Sequence, residues 1–150
     1  MKKRLFGTRG VRGPIATKVT PEFMLKLGIA CAEHVRGGKV VVGRDARTSG
    51  EMLSKALVSG LLSGGSDVVD AGIAPSPCVA FTARALGASA GAMITASHNP
   101  PQDNGIVFYH GDGTEFLPED ELALEGMVLD RESKRAAWDS LGELIQHDAG

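Results

Sequence analysis

Val40-Val41-Val42-Gly43-Arg44-Asp45-Ala46-Arg47-Thr48-Ser49-Gly50-Glu51 runs from an unbroken β-branched stretch, through a charged turn, into a helix start. Three successive valines without polar alternation describe a strand covered on both faces, as in a parallel sheet. Thr48 and Glu51 have the spacing of a capping box, in which hydroxyl and carboxylate satisfy opposite backbone donors. Met52, Ala56, Leu57 and Leu61 then form an apolar stripe at helical spacing, and Gly64-Gly65 ends the helix.

The same unit recurs on both sides. Upstream, Thr20 caps a helix with Pro21 at its first position, Met24, Leu27, Cys31 and Val35 along one face, and Gly37-Gly38 as the stop. Downstream, Val68 to Ile73 reads as a strand. Ser76-Pro77 opens a helix through Val79, Ala83 and Leu86 to Gly87, and Ala90 to Thr95 is a third strand. Alternation of this kind implies a parallel sheet with right-handed crossovers. Ile106-Val107-Phe108-Tyr109 reads as a fourth strand after a turn at Asn104-Gly105. The loop before it is too short for a parallel crossover, so this strand runs antiparallel. Asp112-Gly113 turns the chain into a last helix, Pro118 to Glu132, with acids in its first turn where the dipole favours them. The expected fold is a three-layer α/β/α domain with a mostly parallel, four-stranded mixed sheet whose last strand is antiparallel.

Composition bounds the rest. The 150 residues suffice for one domain, and 43% hydrophobic content excludes a disordered chain. No apolar run approaches membrane-spanning length, and the basic start, Met1 to Gly7, lacks the apolar stretch of a secretory signal. Cys31 and Cys78 make neither a disulfide framework nor a zinc site, and read as buried thiols in a reducing cytoplasm. Charge is uneven: residues 1–50 hold eleven Lys/Arg and three acids, residues 51–150 five and fifteen. No nucleic-acid-binding motif accompanies the basic half, so a small phosphorylated ligand fits it better. Met24, Met52, Met93 and Met127 read as core filler, His34, His110 and His147 as solvated, and Trp138 as cover for an edge.

In open α/β sheets, ligands bind beyond the carboxyl ends of the parallel strands. The segments leaving those ends are residues 43–47, 74–77 and 96–101, which places them along one rim. Thr95-Ala96-Ser97-His98-Asn99-Pro100-Pro101 presents a serine hydroxyl in a loop stiffened by two prolines. These residue types fit a positioned nucleophile, and equally a stiff polar turn. Phe6-Gly7-Thr8-Arg9-Gly10-Val11-Arg12-Gly13 combines backbone N–H groups with arginines suited to phosphate, or forms a solvated basic turn. Arg44 and Asp45 have the types for a rim ion pair that orients Arg47.

Taken together and in this order, these segments resemble the N-terminal domain of the α-D-phosphohexomutases (phosphoglucomutase, phosphomannomutase, phosphoglucosamine mutase). Phe6-Gly7-Thr8-x-Gly10-x-Arg12-Gly13 is similar to the family's opening motif. Val42-Gly43-Arg44-Asp45-x-Arg47-x-Ser49-Gly50 is similar to its second. Thr95 to Pro101 followed by Asn104-Gly105 resembles its phosphoserine loop.

The resemblance implies that Ser97 carries a phosphoryl group, donates it to a hexose monophosphate and recovers another from the bisphosphorylated sugar. The net exchange is between 1- and 6-phosphate. It implies that His98 lies beside the reacting group and that Arg12 approaches phosphate. It also implies a Mg2+ ion touching Ser97 through its phosphoryl oxygen, with hexose 1,6-bisphosphate as activator. Arg44 and Arg47 carry over as loop organisers. By the same likeness, residues 1–137 are the phosphoserine-bearing domain and 138–150 begin a linker to downstream domains, which hold the remaining metal ligands. The implied partners are the hexose phosphate and those downstream domains, with neither nucleic acid nor membrane. One departure stands out: Val107 occupies a position where the family commonly has lysine, a feature that favours an alternative, a non-catalytic sugar-phosphate-binding or regulatory module.

Overall fold

The computed structural model describes residues 4–146. Its elements are β1 (Val11–Pro14), α1 (Pro21–His34), β2 (Val40–Arg44), α2 (Gly50–Ser63), β3 (Val68–Ile73), α3 (Ser76–Ala85), β4 (Ala90–Ile94), β5 (Asp103–His110), α4 (Pro118–Leu129) and β6 (Leu144–Gln146), with one 3-10 turn at Trp138–Ser140. The strands form one sheet in the order β1-β5-β4-β2-β3-β6. β2 pairs in parallel with both β3 and β4, and β3 with β6. β5 runs antiparallel to β4, as expected, and also to β1.

The sheet therefore has six strands, not four. β1 and β6 escape the sequence reading because they are short and lack an apolar run. β1 is Val-Arg-Gly-Pro inside the basic glycine-rich segment. β6 lies within the segment read as linker, and all three of its residues are exposed. Asn104-Gly105 is not a turn but part of β5. A Cβ on Gly105 would meet the Val11 carbonyl at 2.3 Å and the Thr95 carbonyl at 2.8 Å, so the glycine serves close approach.

Helices α1, α2 and α4 cover one face, over Val40, Val42, Val68, Ala92, Ile94, Ile106 and Phe108. α3 covers the other, over Val41, Val69, Met93, Val107 and Tyr109. α2 leads from β2 to β3, and α3 leads back across β2 to β4. Right-handed crossovers in opposite directions put these two helices on opposite faces.

Thr20 caps α1 as expected, its hydroxyl accepting from the Phe23 N–H at 3.1 Å. The capping box at Thr48–Glu51 does not form. The cap residue is Ser49, its side chain makes no capping bond, and its Oγ accepts instead from Asn104 Nδ2 at 2.9 Å. Glu51 pairs with Lys55 along the helix. Met52 is exposed and Leu53 takes its place in the stripe with Leu57 and Leu61, while Met24 and Met93 are buried. Leu86 is exposed, and Trp138, 86% exposed, covers no edge.

His34 and His110 are not solvated. Each places Nε2 on one oxygen of Asp120, at 3.0 and 2.9 Å, and each ring packs on Phe116. They tie the first turn of α4 to α1 and β5. Burial pushes the Asp120 carboxyl upward, but the Leu117 N–H and the two imidazoles outweigh it and hold the group below the usual range. His147 lies outside the described residues. Cys31 is buried and Cys78 only half-buried. Burial pushes the Cys31 thiol up to about 12, which leaves it unreactive.

α1 and α2 cross at two facing glycines. A Cβ on Gly28 would come within 2.4 Å of the Leu57 carbonyl, and one on Gly60 within 2.3 Å of Leu25's. Gly28→Ala must push the helices apart and is expected to cost about 2 kcal/mol, the range of an overpacked core. Gly126→Ala, in α4 with nothing nearer than 4.0 Å, is expected to gain about 0.5 kcal/mol. Urea unfolding of the two variants checks the contrast; equal effects would refute the packing argument.

Candidate functional site

β2 sends its chain on to β3 on one side, and β4 lies on its other side. The strand order thus reverses between β2 and β4, and the crevice there is where an open α/β sheet binds ligands. The loops bordering it are residues 45–49, after β2, and 95–102, after β4. The first is bonded to the end of β4, where the second begins: the Asp45 N–H donates to the Ile94 carbonyl at 3.1 Å. The third rim segment joins through Ala74, whose N–H donates to the Arg44 carbonyl at 3.0 Å.

Arg47 is the centre of this connection. Its Nη1 donates to the carbonyls of Pro100 (2.9 Å) and Asp103 (3.2 Å), and its Nη2 to those of Ser97 (2.8 Å) and Asn99 (2.8 Å). Its Nε lies 3.5 Å from Asp45 Oδ2. Four of the five N–H donors of the guanidinium are thus hydrogen-bonded to loop carbonyls, and Nε faces the Asp45 carboxylate. Arg47 is therefore a loop clamp. Asp45 pairs with Arg47 and not with Arg44, correcting the ion pair expected from the sequence. Its Oδ1 accepts the Arg47 backbone N–H at 3.2 Å, and its Oδ2 accepts the Thr95 hydroxyl at 2.7 Å.

Within the clamped loop, Ser97 adopts φ 53°. The left-handed region is sterically costly for a residue with a Cβ and persists only where its surroundings enforce it. The Ser97 N–H donates to Thr95 Oγ1 at 3.2 Å, and Asn99 Nδ2 donates to Asp103 Oδ2 at 3.1 Å. Ser97 and His98 are both exposed. Neither the Ser97 hydroxyl nor the His98 ring makes a hydrogen bond among the described residues, so the two are adjacent without being paired. Asn104 is buried and bridges β5 to the start of α2 through Ser49.

Arg12 stands across β5 from the end of β4. It sits on β1 opposite Gly105, and the Gly105 carbonyl accepts the Thr95 N–H at 2.9 Å. Arg12 Nε is buried without a hydrogen-bond partner among the described residues. A buried donor left unpaired is costly and marks a place where an acceptor is wanted. Arg12 lines a concavity of about 490 Å³ with Lys18 and residues 4–10. Arg9 pairs with Glu115 at 3.2 Å. Val107 is 7% exposed in the cluster beneath α3, so no cation comes from that position.

Sequence reasoning missed Glu125. This buried carboxylate in α4 accepts the backbone N–H groups of Arg4 (2.9 Å), Leu5 (2.6 Å) and Phe6 (2.8 Å), the residues that lead into the basic glycine segment. Burial raises its pKa, but the three N–H donors and the Arg4 charge prevail and hold it below the usual carboxylate range. No periodicity marks an acid that faces inward; only the fold brings the N-terminus to it.

Fold and site together define an open α/β domain that presents a clamped serine with an unbonded hydroxyl at its switch-point crevice and, on the edge strand β1, an arginine whose Nε is unsatisfied among the described residues. Residues 3–135 match the model of the phosphoglucomutase/phosphomannomutase alpha/beta/alpha domain I. The chain belongs to this family. It is 51% identical to a phosphopentomutase of Thermococcus kodakarensis, over 92% of this chain and 30% of the relative. It is 48% identical to a "Probable phosphoglucosamine mutase" of Pyrococcus abyssi, over 95% and 32%. A crystal structure of a phosphoglucomutase/phosphomannomutase family protein from Burkholderia thailandensis superposes with TM-score 0.84 at 30% identity, covering 96% of this chain and 33% of that one. The chain thus spans about a third of the length of these relatives. Among the described residues, no helix is long and apolar enough to cross a membrane.

Proposed function

We propose that this chain is the phosphoryl-carrying domain of a cytoplasmic intramolecular phosphotransferase of the phosphomannomutase/phosphoglucomutase type, with residues 1–137 as that domain and 138–150 leading to the next. Ser97 accepts and donates the group, and the substrate is a sugar monophosphate, in the first instance a hexose. The observation that supports this best is the Ser97 peptide, held in a strained conformation from both sides while its hydroxyl stays unbonded. A nucleophile so fixed saves the entropy of positioning.

A free sugar hydroxyl attacks the phosphorus on Ser97, the phosphorus–Oγ bond breaks, and the proton given up by the attacking hydroxyl is made good at the departing Oγ, which becomes a hydroxyl again. The bisphosphorylated sugar then returns its other phosphoryl group to Oγ. Dividing one transfer into two in this way is covalent catalysis. His98, next in the chain and free of other bonds among the described residues, is the group in this loop able to exchange that proton. Arg12, with its unsatisfied Nε, binds phosphate.

Among the described residues, no three His, Cys, Asp or Glu side chains gather at metal-holding spacing. These residues do not make a magnesium site by themselves, so no step here runs through the ion. A phosphoryl oxygen on Ser97 is the one ligand this chain would contribute. Ser97 is also open to water here, and transfer without hydrolysis requires its exclusion. Turnover is therefore assigned to the longer polypeptide, whose downstream domains close over the loop.

Incubating that full polypeptide with hexose 1,6-bisphosphate is expected to place phosphate on Ser97, read by peptide mass spectrometry. Phosphate on another residue, or none, refutes the proposal. A second reading, a sugar-phosphate-binding module without catalysis, is favoured by the buried valine at position 107. It predicts binding of the bisphosphate with no phosphoserine formed.

A further inference from the structure

The Ser97 peptide is gripped at both ends by groups that share one carboxylate. Its N–H donates to the Thr95 hydroxyl at 3.2 Å, and its carbonyl accepts from Arg47 Nη2 at 2.8 Å. The Thr95 oxygen is oriented to accept because its own proton goes to Asp45 Oδ2, at 2.7 Å. The same Asp45 carboxylate lies 3.5 Å from Arg47 Nε and accepts the Arg47 N–H. One acid thus sets both the hydroxyl that holds the N–H of Ser97 and the guanidinium that holds its carbonyl.

We propose that Thr95 and Asp45 are positioning residues for phosphoryl transfer: the relay from Asp45 through the Thr95 hydroxyl to the Ser97 N–H holds the serine peptide left-handed and fixes where Oγ stands. This rests on the reading of Ser97 as phosphoryl acceptor. Both act on the orientation of Ser97, so their loss lowers the rate of transfer and leaves ground-state binding of the sugar phosphate in place.

Thr95→Val keeps the shape and removes the relay; Thr95→Ser keeps the hydroxyl and removes the methyl. In the full polypeptide, Thr95→Val is expected to slow phosphoryl transfer from hexose 1,6-bisphosphate to Ser97, and kcat, about 10- to 100-fold, the cost of a misplaced reacting group, with KM little changed. Thr95→Ser is expected to recover most of that rate. Amide hydrogen exchange of residues 97–103 is expected to speed up in Thr95→Val and not in Thr95→Ser. Should Thr95→Val fail to fold, Thr95→Ala carries the same expectations.

Equal rates in Thr95→Val and the parent overturn the proposal while leaving the acceptor role of Ser97 intact. So does an equal loss in the Val and Ser variants, which would assign the effect to packing, and so does a loss confined to KM. Absence of phosphate on Ser97 in the parent removes the acceptor reading itself, and this proposal with it.

Discussion

Ser97→Gly is expected to give a protein at least as stable as the parent that accepts no phosphoryl group from hexose 1,6-bisphosphate and does not isomerise the sugar phosphate. The two halves of this expectation share one origin. At φ 53°, serine bears the steric penalty of a left-handed residue with a Cβ, and glycine does not. Relief of roughly 1–2 kcal/mol is offset by about 0.5–1 kcal/mol of extra glycine entropy, so the net gain is about 0–1.5 kcal/mol. The Ser97 hydroxyl holds nothing in place, so its removal costs no hydrogen bond. Ser97→Ala keeps the penalty and is expected to be about 1 kcal/mol less stable than the glycine variant, with the same loss of activity. Urea unfolding and intact-protein mass spectrometry measure the two effects separately. A glycine variant clearly less stable than the parent would show that the serine side chain supports the loop. A glycine variant that still isomerises would remove Ser97 from the reaction.

Glu125→Ala is expected to be the most destabilising of these changes, by about 2–4 kcal/mol. It strips the acceptor from three backbone N–H groups, at Arg4, Leu5 and Phe6. Charged acceptors contribute more than neutral ones, and unpaired buried donors keep their full desolvation penalty. Glu125→Gln, with one carbonyl oxygen left to accept, is expected to lose less. The folded-state pKa is lowered, so the contribution is fully present above the ordinary glutamate pKa of about 4.3 and is lost as pH falls through the folded value. The stability difference between parent and Glu125→Gln is therefore expected to narrow below about pH 4. Urea unfolding at pH 7 and in that acidic range checks it; a difference independent of pH would mean that the carboxylate charge is not what holds the segment. The same contact matters to the site. The segment it anchors runs straight into Gly7 to Arg12, so its loss frees the end of the chain that carries Arg12.

Much of the architecture was legible from residue types. The valine run at 40–42 and the small-residue strand at 90–94 are buried on both faces, as unbroken apolar runs predict. Thr20-Pro21 began a helix because a hydroxyl cap and a fixed φ act locally. The antiparallel sense of β5 followed from loop length alone. The short edge strands were hidden because what makes them strands is the neighbour's ladder, not their own composition. Asn104-Gly105 looked like a turn, but its glycine answers to the carbonyls of Val11 and Thr95, far away in sequence. His34 and His110 looked solvated because Asp120, their shared partner, comes from a third element.

The sequence by itself determined the alternation of strand and helix, the loops that meet at the rim, and the presence of a serine between two stiffening segments. Those are consequences of local sterics, periodicity and chain length. Only the tertiary structure decided what each charged group does. Arg47 and Arg12 are the same residue type in similar glycine-flanked motifs, yet one spends four donors on loop carbonyls and the other keeps a buried donor unpaired among the described residues. Hydrogen-bond partners are chosen by where the fold brings carbonyls and carboxylates together, and no spacing along the chain records that.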